Sequence, residues 1–272
     1  MSITAVHPTP ALRSITPIGS SMTAEAAERH APFLAAYREI RRKEGRSDLR
    51  VEDLLRLPDG DHASRDRSIW HLRRQSLEWL QEEIEREGRP LRILDAGAGN
   101  CWLTRHLAAW GHEVTAIDIN DDGRDGLGAG EWYQRLLPIR FERLLADFAA
   151  IPLADRSVDL IVYNGALHYA RDLSTVIAEG MRLLAEGGRM IIMDSPIYRD
   201  ARSGERMLVE RGGHRGASFL TVTGLEQIAD TQGLSLRVIP RPSGPIGWLK
   251  RVVLRMRLGR EPASMPWIVL TS

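Results

Sequence analysis

Glycines and acidic residues stand together at the ends of apolar segments in the middle of the sequence. The segment Leu91-Arg-Ile-Leu-Asp-Ala-Gly-Ala-Gly-Asn100 passes from apolar residues to Asp95 and then to Gly97 and Gly99. Glycine has no Cβ, so the backbone at these positions can adopt left-handed angles and lie directly against a ligand. The order of apolar run, glycines and helical pattern predicts a strand, a binding turn and the start of a helix.

A second apolar segment, His112-Glu-Val-Thr-Ala-Ile-Asp118, ends on a carboxylate. Asp118 lies roughly 20 residues beyond the glycines, which is the spacing at which a doubly wound sheet presents an acid to ribose hydroxyls. The two segments together predict a nucleoside site at the carboxyl ends of two neighbouring strands.

Two kinds of nucleoside compete for this turn. A dinucleotide site has a third glycine and places the pyrophosphate on a helix N-terminus, but this chain has Trp102 at the third glycine position and Asp95 two residues before the first glycine. An acid there repels a pyrophosphate and suits a cation or an ammonium group. S-adenosylmethionine carries both, so the sequence favours this cofactor over a nicotinamide dinucleotide.

Residues Leu94 to Asn100 resemble the first motif of the class I S-adenosylmethionine-dependent methyltransferases. Residues 146–148, 151–164 and 184–194 resemble the later motifs, in the family's order, and the resemblance extends over residues 91–272. In appearance the chain is similar to the ubiquinone and menaquinone C-methyltransferase-like enzymes. The resemblance implies an α/β fold with a Rossmann-like, doubly wound, seven-stranded sheet that is mostly parallel and has an antiparallel C-terminal strand.

The resemblance also implies S-adenosylmethionine as the cofactor, with no metal. The implied cofactor-binding residues are Asp95, Gly97, Ala98, Gly99, Asn100, Asp118, Ile119, Asp147, Phe148, Asn164 and Gly165. The glycine turn would surround the methionine part, with Asp95 near its ammonium group. Asp118 would bind the ribose hydroxyls, Asp147 would bind the adenine amino group beside Phe148, and the two residues after the fourth core strand would border the sulfonium.

The acids have a simpler interpretation, since an isolated Asp at a strand end usually caps a turn or a helix. Four polar residues nevertheless follow four predicted strands: Asp95, Asp118, Asp147 and Asn164. In open α/β sheets, ligands bind outside the carboxyl ends of the strands. Their common placement therefore favours a binding site.

His168, in Tyr163-Asn-Gly-Ala-Leu-His-Tyr169, is the candidate catalytic residue. A sulfonium is an excellent leaving group, so the protein has mainly to align the reactants and to remove a proton where the acceptor requires it. Histidine titrates near neutral pH and this one follows a core strand, which suits a general base. The alternative is a histidine that lines the pocket or bonds a loop.

Cys101, the chain's one cysteine, stands where many members of the family have a further glycine. A single cysteine excludes an internal disulfide and a cysteine-cluster metal site, and it is typical of a reducing compartment. We therefore expect a cytoplasmic protein in which this thiol simply packs in the turn.

The elements around the site divide the 272 residues into three parts. Residues 1–21 have three prolines and no periodicity and are predicted to be a flexible tail. Residues 22–88 show helical periodicity and are predicted to form an N-terminal helical cap, in which Pro32 breaks the first helix. Residues 89–272 alternate strands and helices, as a parallel sheet requires. Within the cap, residues 61–71 suggest a lid over the cofactor, which Trp70 or Arg73 would contact. The alternative is plain helix packing, which is favoured for Trp70.

Composition restricts the partners. A formal charge of +1 indicates no global field for nucleic acid, so we expect no nucleic-acid partner. No apolar stretch approaches the ~18 residues of a membrane-spanning helix. Residues 247–258 lack acids and set basic against apolar side chains, which predicts a helix between the last two strands without an assigned partner. The oligomeric state is left open.

These observations predict an enzyme that transfers a methyl group from S-adenosylmethionine to a small molecule. The acceptor atom, whether carbon, oxygen or nitrogen, is left open. The alternative is a non-catalytic S-adenosylmethionine-binding scaffold or partner protein.

Overall fold

Eight strands form one sheet in the computed structural model, which describes residues 15–43, 49–59, 67–210, 219–242 and 245–272. These strands are β1 (Ile18–Ser20), β2 (Arg92–Ala96), β3 (Glu113–Asp118), β4 (Glu142–Leu145), β5 (Val158–Asn164), β6 (Leu184–Met193), β9 (Ser235–Ile239) and β10 (Trp267–Thr271). Their order across the sheet is β1-β4-β3-β2-β5-β6-β10-β9. The strands from β1 to β6 run parallel, and β10 is antiparallel to both of its neighbours.

Nine α-helices lie in the described residues. They are α1 (Ala24–Lys43), α2 (Val51–Arg56), α3 (Arg67–Glu85), α4 (Trp102–Ala109), α5 (Gly130–Leu136), α6 (Leu173–Leu183), α7 (Ala201–Glu210), α8 (Val222–Thr231) and α9 (Pro245–Leu258). A small second sheet pairs β7 (Ile197–Tyr198) with β8 (Leu220–Thr221). No helix within the described ranges is both long and apolar enough to cross a membrane.

The sheet is covered on both faces, as the near-continuous apolar strands predict. Successive strand residues enter opposite cores, so that Ile93 packs with α3 and α4 while Leu94 packs with α6 and α8. Leu80 and Ile84 of α3 belong to the first of these cores. The α3 helix therefore shares its core with the sheet, although it lies within the predicted cap. The division at residue 88 stays a prediction.

The predicted flexible tail is wrong for residues 18–20, which form the eighth strand. Gly19 pairs with Leu144 of β4 in parallel register, and Arg143 donates a hydrogen bond to the carbonyl oxygen of Thr16 at 2.7 Å. A three-residue strand is too short to show periodicity. Its backbone hydrogen bonds come from a distant strand, so the sequence pattern did not reveal it. The segment 1–14 lies outside the described residues.

The predicted break at Pro32 is also wrong, because α1 runs without interruption through this residue. Proline removes one backbone donor from a helix. Contacts on both sides of it hold the two halves in line: His30 bonds Asp147, and Arg41 bonds Asp125. Tertiary contacts thus offset the cost of the missing backbone hydrogen bond, and α1 remains one continuous helix.

Candidate functional site

A cavity of about 940 Å³ lies at the carboxyl ends of β2 to β5, where α1 crosses the sheet edge. Its volume is within the range of sites that enclose a small organic ligand. Seven of the predicted site residues line it: Gly97, Gly99, Asp118, Ile119, Asp147, Phe148 and Gly165. The opposite wall comes from α1 and from the turn that follows β5, through His30, Phe33, Tyr37 and Tyr169.

The turn after β2 requires glycine at position 97. Gly97 has φ +77°, and a Cβ built there would lie 2.4 Å from the Cβ of Ala166 and 3.0 Å from Cζ of Phe148. Gly99 has φ +51° but open space around it. The amide of Gly97 donates to the carbonyl oxygen of Ile117 at 2.8 Å, which ties the turn to β3. Bare backbone therefore faces the cavity.

Asp118, the last residue of β3, holds the same turn from the other side. Its Oδ2 accepts a hydrogen bond from the amide of Gly99 at 2.8 Å, and its Oδ1 accepts one from the amide of Asn120 at 2.9 Å. Burial raises the pKa of Asp118 to about 6, although these backbone amides oppose the rise. Each carboxylate oxygen has a second lone pair, so Asp118 can accept further donors.

Asp95 lies behind the turn and does not line the cavity. It is 1% exposed, and its Oδ2 accepts a hydrogen bond from Oγ1 of Thr104 at 2.6 Å. Its Oδ1 is buried with no hydrogen-bond partner among the described residues. Burial raises the pKa of Asp95 to about 7. A buried acceptor without a donor is costly, and this one is directly beside the glycine turn.

Four other predicted residues also lie outside the cavity wall. Ala98 is buried and donates its amide to Ile117 at 3.0 Å, and the side chain of Asn100 accepts from the amide of Trp102 at 3.3 Å at the start of α4. Asn164 ends β5 with its Oδ1 buried and unpartnered among the residues described. Nδ1 of His168 lies 3.4 Å from Oγ of Ser195.

Asp147 has a partner that the sequence did not reveal. Its Oδ2 lies 2.6 Å from Nε2 of His30, a buried residue of α1, and its Oδ1 accepts from the amide of Ala149 at 3.0 Å. His30 precedes Phe33 and Tyr37 by three and seven residues, so it extends the apolar face of α1 by one turn. That spacing was the available signal. Only the fold brings residue 30 to residue 147.

The described part of the chain closes the cavity with α1 and not with the predicted lid. Arg38 donates to Oδ1 of Asn120 at 3.3 Å, and Nε of Arg41 donates to Oδ2 of Asp125 at 2.8 Å. The predicted lid, residues 61–71, lies partly outside the described residues. Trp70, at its end, packs in a T-shaped contact with Trp102 at 5.9 Å, which confirms its predicted packing role.

Cys101 has a backbone angle that favours glycine. It begins α4 with φ +61°, an angle that glycine adopts without strain. Its side chain is fully buried, and a Cβ built on Gly130 would lie 3.0 Å from its Sγ, so a glycine across the core makes room for the thiol. Burial raises the pKa of this thiol far above its usual range. The thiol is therefore protonated and packs in the core.

A second polar cluster follows β6. Asp194 has φ +55° and accepts a hydrogen bond from Oγ of Ser76 at 2.7 Å, and it forms a buried ion pair with Arg241. Arg241 also donates to the carbonyl oxygen of Leu72 at 2.7 Å. Burial raises the pKa of Asp194, while the guanidinium groups of Arg241 and Arg73 oppose that rise. This cluster joins α3 to the sheet and to residue 241.

No group of three or more His, Cys, Asp or Glu side chains within the described ranges is arranged to hold a metal ion. Residues 94–192 match the family model described as a methyltransferase domain. This segment of the chain is therefore similar to methyltransferase domains. The matched residues run from the end of β2 to the end of β6 and include both the glycine turn and the strand-end acids.

Relatives and solved structures are consistent with this assignment. A malonyl-[acyl-carrier protein] O-methyltransferase from Erwinia pyrifoliae is 32% identical over 44% of this chain and 43% of its own length. A ubiquinone/menaquinone biosynthesis C-methyltransferase from Acidiphilium cryptum is 37% identical over 43% of this chain and 47% of its own. The chain thus spans less than half the length of these curated relatives.

The fold extends further than the sequence similarity. The crystal structure of magnesium protoporphyrin IX methyltransferase from Synechocystis PCC 6803 with bound SAH matches with a TM-score of 0.57 and 18% identity. The match covers 81% of this chain and 93% of that one. At this identity the likeness shows the fold alone, which is the predicted Rossmann-like α/β sheet with its antiparallel C-terminal strand.

Proposed function

We propose that this protein is an S-adenosylmethionine-dependent methyltransferase with a small-molecule acceptor, either free or linked to a carrier. The observation that carries the proposal is the convergence of Gly97, Asp118 and Asp147 on one cavity from three strand ends. Bare backbone and two carboxylates match a ligand that presents hydroxyl and amino donors. The relatives named above act on acceptors of this size class, which supports the second half of the proposal.

The residues fit the cofactor. A side chain at position 97 would collide with Ala166 and Phe148, so glycine lets the turn lie against these residues with its backbone at the cavity. The unpartnered Oδ1 of Asp95 can accept from the ammonium of the methionine part, directly or through water. Asn164, whose Oδ1 also has no partner, is the last residue of β5 and precedes Gly165. We place the sulfonium beside these two residues. A donor in the ligand would satisfy each of these buried acceptors.

The strand ends divide the nucleoside between them in this proposal. Asp118 binds the ribose hydroxyls while its backbone bonds keep the glycine turn in place. Asp147 binds the adenine amino group, and the ring of Phe148 lies beside the base. Nε2 of His30 shares the Asp147 carboxylate, so α1 closes over the adenine end of the cavity.

The bound cofactor supplies a methyl group on a sulfonium. The protein has to hold the acceptor in line with that group and to take up a proton where one is released. His168 is the proposed base because it follows β5 by four residues and its ring packs on Tyr169 with 4.0 Å between centroids. Tyr169 lines the cavity, and His168 is the residue before it in the sequence.

Calorimetry tests cofactor binding with S-adenosylmethionine, S-adenosylhomocysteine and NAD as separate ligands. We expect heat for the two sulfur nucleosides and none for NAD. Comparable heat with NAD would support the nicotinamide oxidoreductase that the sequence disfavoured. No heat with either sulfur nucleoside would end the methyltransferase proposal.

Turnover separates the enzyme from a non-catalytic scaffold. Transfer of labelled methyl groups to a panel of quinols, carrier-linked acids and amines should be detected for at least one acceptor. His168→Ala should then lower kcat about 100-fold at unchanged cofactor affinity, and the loss should shrink at high pH. His71→Ala on the exposed face of α3 is the matched control. Binding without transfer to any acceptor would favour the scaffold.

We also propose a cytoplasmic location, which agrees with a chain whose single cysteine is a buried free thiol.

A further inference from the structure

Helix α9 presents a cluster of exposed apolar side chains that the proposed function does not use. Leu249, Val253 and Met256 are 55%, 50% and 71% exposed. They are spaced at i, i+4 and i+7, so they share one face of the helix. Leu254, on a different side of the helix, is 43% exposed. Most large apolar side chains elsewhere in the described residues are buried, so an outward apolar stripe of this length marks an interaction surface.

The end of α7 adds to the same region. Val209 is the most exposed large apolar residue in the described part of the chain, at 79%. Arg206 donates to the carbonyl oxygen of Gly259 at 2.6 Å, and Arg260 pairs with Glu210 at 2.7 Å. These two contacts hold the C-terminal turn of α7 beside the C-terminal end of α9. The exposed apolar surface therefore comes from two helices.

The charge of α9 is entirely positive. Its fourteen residues include Lys250, Arg251, Arg255 and Arg257 and no acid. Arg251 and Arg255 share the carboxylate of Glu261, at 3.4 and 3.2 Å, while Arg257 makes no ion pair with any residue that the structure describes. The whole chain has a formal charge of +1, so this helix is a local concentration of positive charge.

The length and position of α9 suit a helix that lies on a membrane surface more than one that crosses a membrane. At 1.5 Å per residue it is about 21 Å long, shorter than the ~30 Å hydrocarbon core of a bilayer. It is a single convex helix between β9 and β10, and none of its side chains that the structure describes lines the cavity. An apolar stripe flanked by arginines is the pattern of helices that lie in a membrane interface, with the stripe among the acyl chains and the guanidinium groups at the phosphates.

We propose that α9 binds the surface of an anionic membrane, lying in its plane with Leu249, Val253 and Met256 inserted. The negative inner leaflet of the cytoplasmic membrane has the charge that this helix complements. An acidic protein could also bind these arginines, but it would need a groove to cover the projecting apolar stripe. A fluid lipid surface covers a convex apolar stripe without one. The proposal is independent of the methyl-transfer reaction.

Vesicle sedimentation with the full chain tests this. We expect binding to vesicles of phosphatidylcholine with phosphatidylglycerol and only weak binding to phosphatidylcholine alone. Binding to the anionic vesicles should weaken in about 0.5 M salt, where the Debye length falls to only a few Å. Met256→Glu should lower the partition coefficient about tenfold or more, since it removes an apolar side chain that the proposal inserts into the membrane. Arg257→Glu should lower it about fivefold or more.

Matched controls keep the test specific. Leu136→Glu changes an equally exposed apolar residue on α5, and Arg140→Glu reverses an exposed arginine in the loop before β4. Both should bind vesicles like the wild type, and circular dichroism should show all four variants folded. Absence of binding to anionic vesicles at low salt would overturn the proposal. So would equal losses in the α9 variants and the controls, or retention of the chain by an acidic carrier protein but by no vesicle.

Discussion

Two groups of acids stand at the same edge of the sheet, the first with buried Asp95 and half-buried Asp118 and the second with buried Asp194, and they differ in one respect. Asp95 and Asp118 follow β2 and β3 and make no ion pair with any described residue, while Asp194 follows β6 and pairs with Arg241. Burial raises the pKa of all three carboxyl groups. The difference is the cation, which one group has and the other lacks.

A carboxylate without a cation is expensive to bury, so we interpret Asp118 in the cavity wall and Asp95 behind the glycine turn as acceptors kept for a ligand. A carboxylate beside a buried guanidinium has its charge compensated and holds two elements together. Arg241 bonds Asp194 and the carbonyl oxygen of Leu72, and so it holds α3 against the sheet. The comparison predicts that changes in the first group affect ligand binding and that changes in the second affect stability.

The largest effect, on the free energy of unfolding, is expected at the buried ion pair between Arg241 and Asp194. Arg241→Met leaves Asp194 buried without its cation and should lower the free energy of unfolding by about 3 to 5 kcal/mol, measured by urea denaturation. Adding Asp194→Asn should recover part of that loss. Arg237→Met, which changes a more exposed arginine of β9, is the control and should cost much less. Equal effects at positions 237 and 241 would show that the ion pair contributes little.

The next effect concerns the ligand-directed group. Asp118→Ala should weaken S-adenosylmethionine binding by about 1.5 to 3 kcal/mol, the range for hydrogen bonds to a charged group. Calorimetry measures it, and Asp121→Ala, three residues away and exposed, is the control. Asp194→Asn should leave the affinity near the wild-type value. If Asp118→Ala binds normally, the carboxylate serves only the turn.

The pH dependence of stability tests the buried, unpaired carboxyl group of Asp95 without any ligand. The pKa of Asp95 is about 7 in the folded protein and near 3.8 when unfolded, so between about pH 4 and 7 the folded state binds a proton that the unfolded state has lost. The free energy of unfolding should therefore fall as pH rises through this window, by about 1.4 kcal/mol per unit for this one group.

Asp95→Asn should remove that contribution, because the amide does not titrate. Urea titrations at pH 5, 6 and 7 give the slope, with Asp121→Ala as the control that keeps it. The slope would persist in Asp95→Asn if other groups dominated the titration. Cofactor affinity should change in the opposite sense and rise with pH, since the ammonium group requires the ionised carboxylate.

The smallest effect is expected at the contact between α1 and the cavity. His30→Ala removes one hydrogen bond to Asp147, so local opening of α1 should become easier by about 1 kcal/mol. Amide exchange in α1 should accelerate about fivefold, while exchange in β2 and β5 stays unchanged. Arg29→Ala, on the neighbouring and more exposed position, is the control. Unchanged exchange in His30→Ala would mean that the arginines of α1 hold the helix alone.

The sequence alone determined the elements that depend on local order. Alternation and apolar runs predicted the core strands, the glycines predicted the turn after β2, and strand-end acids predicted the residues that line the cavity. Parallel strands present their carboxyl ends at one edge, so placing Asp118 and Asp147 at those ends was sufficient to bring them together. The sulfur nucleoside followed from Asp95 and Trp102 within the same short segment.

Tertiary structure alone decided which of these groups have partners. His30 meets Asp147 across 117 residues, Ser76 meets Asp194 across 118, and β1 pairs with β4 across more than 120. Such contacts leave no periodicity in the sequence, because each is made by one side chain or by three backbone units. Pro32 stays within α1 for the same reason. The stabilising contacts come from loops that follow β3 and β4, and the local sequence shows only the cost of the proline.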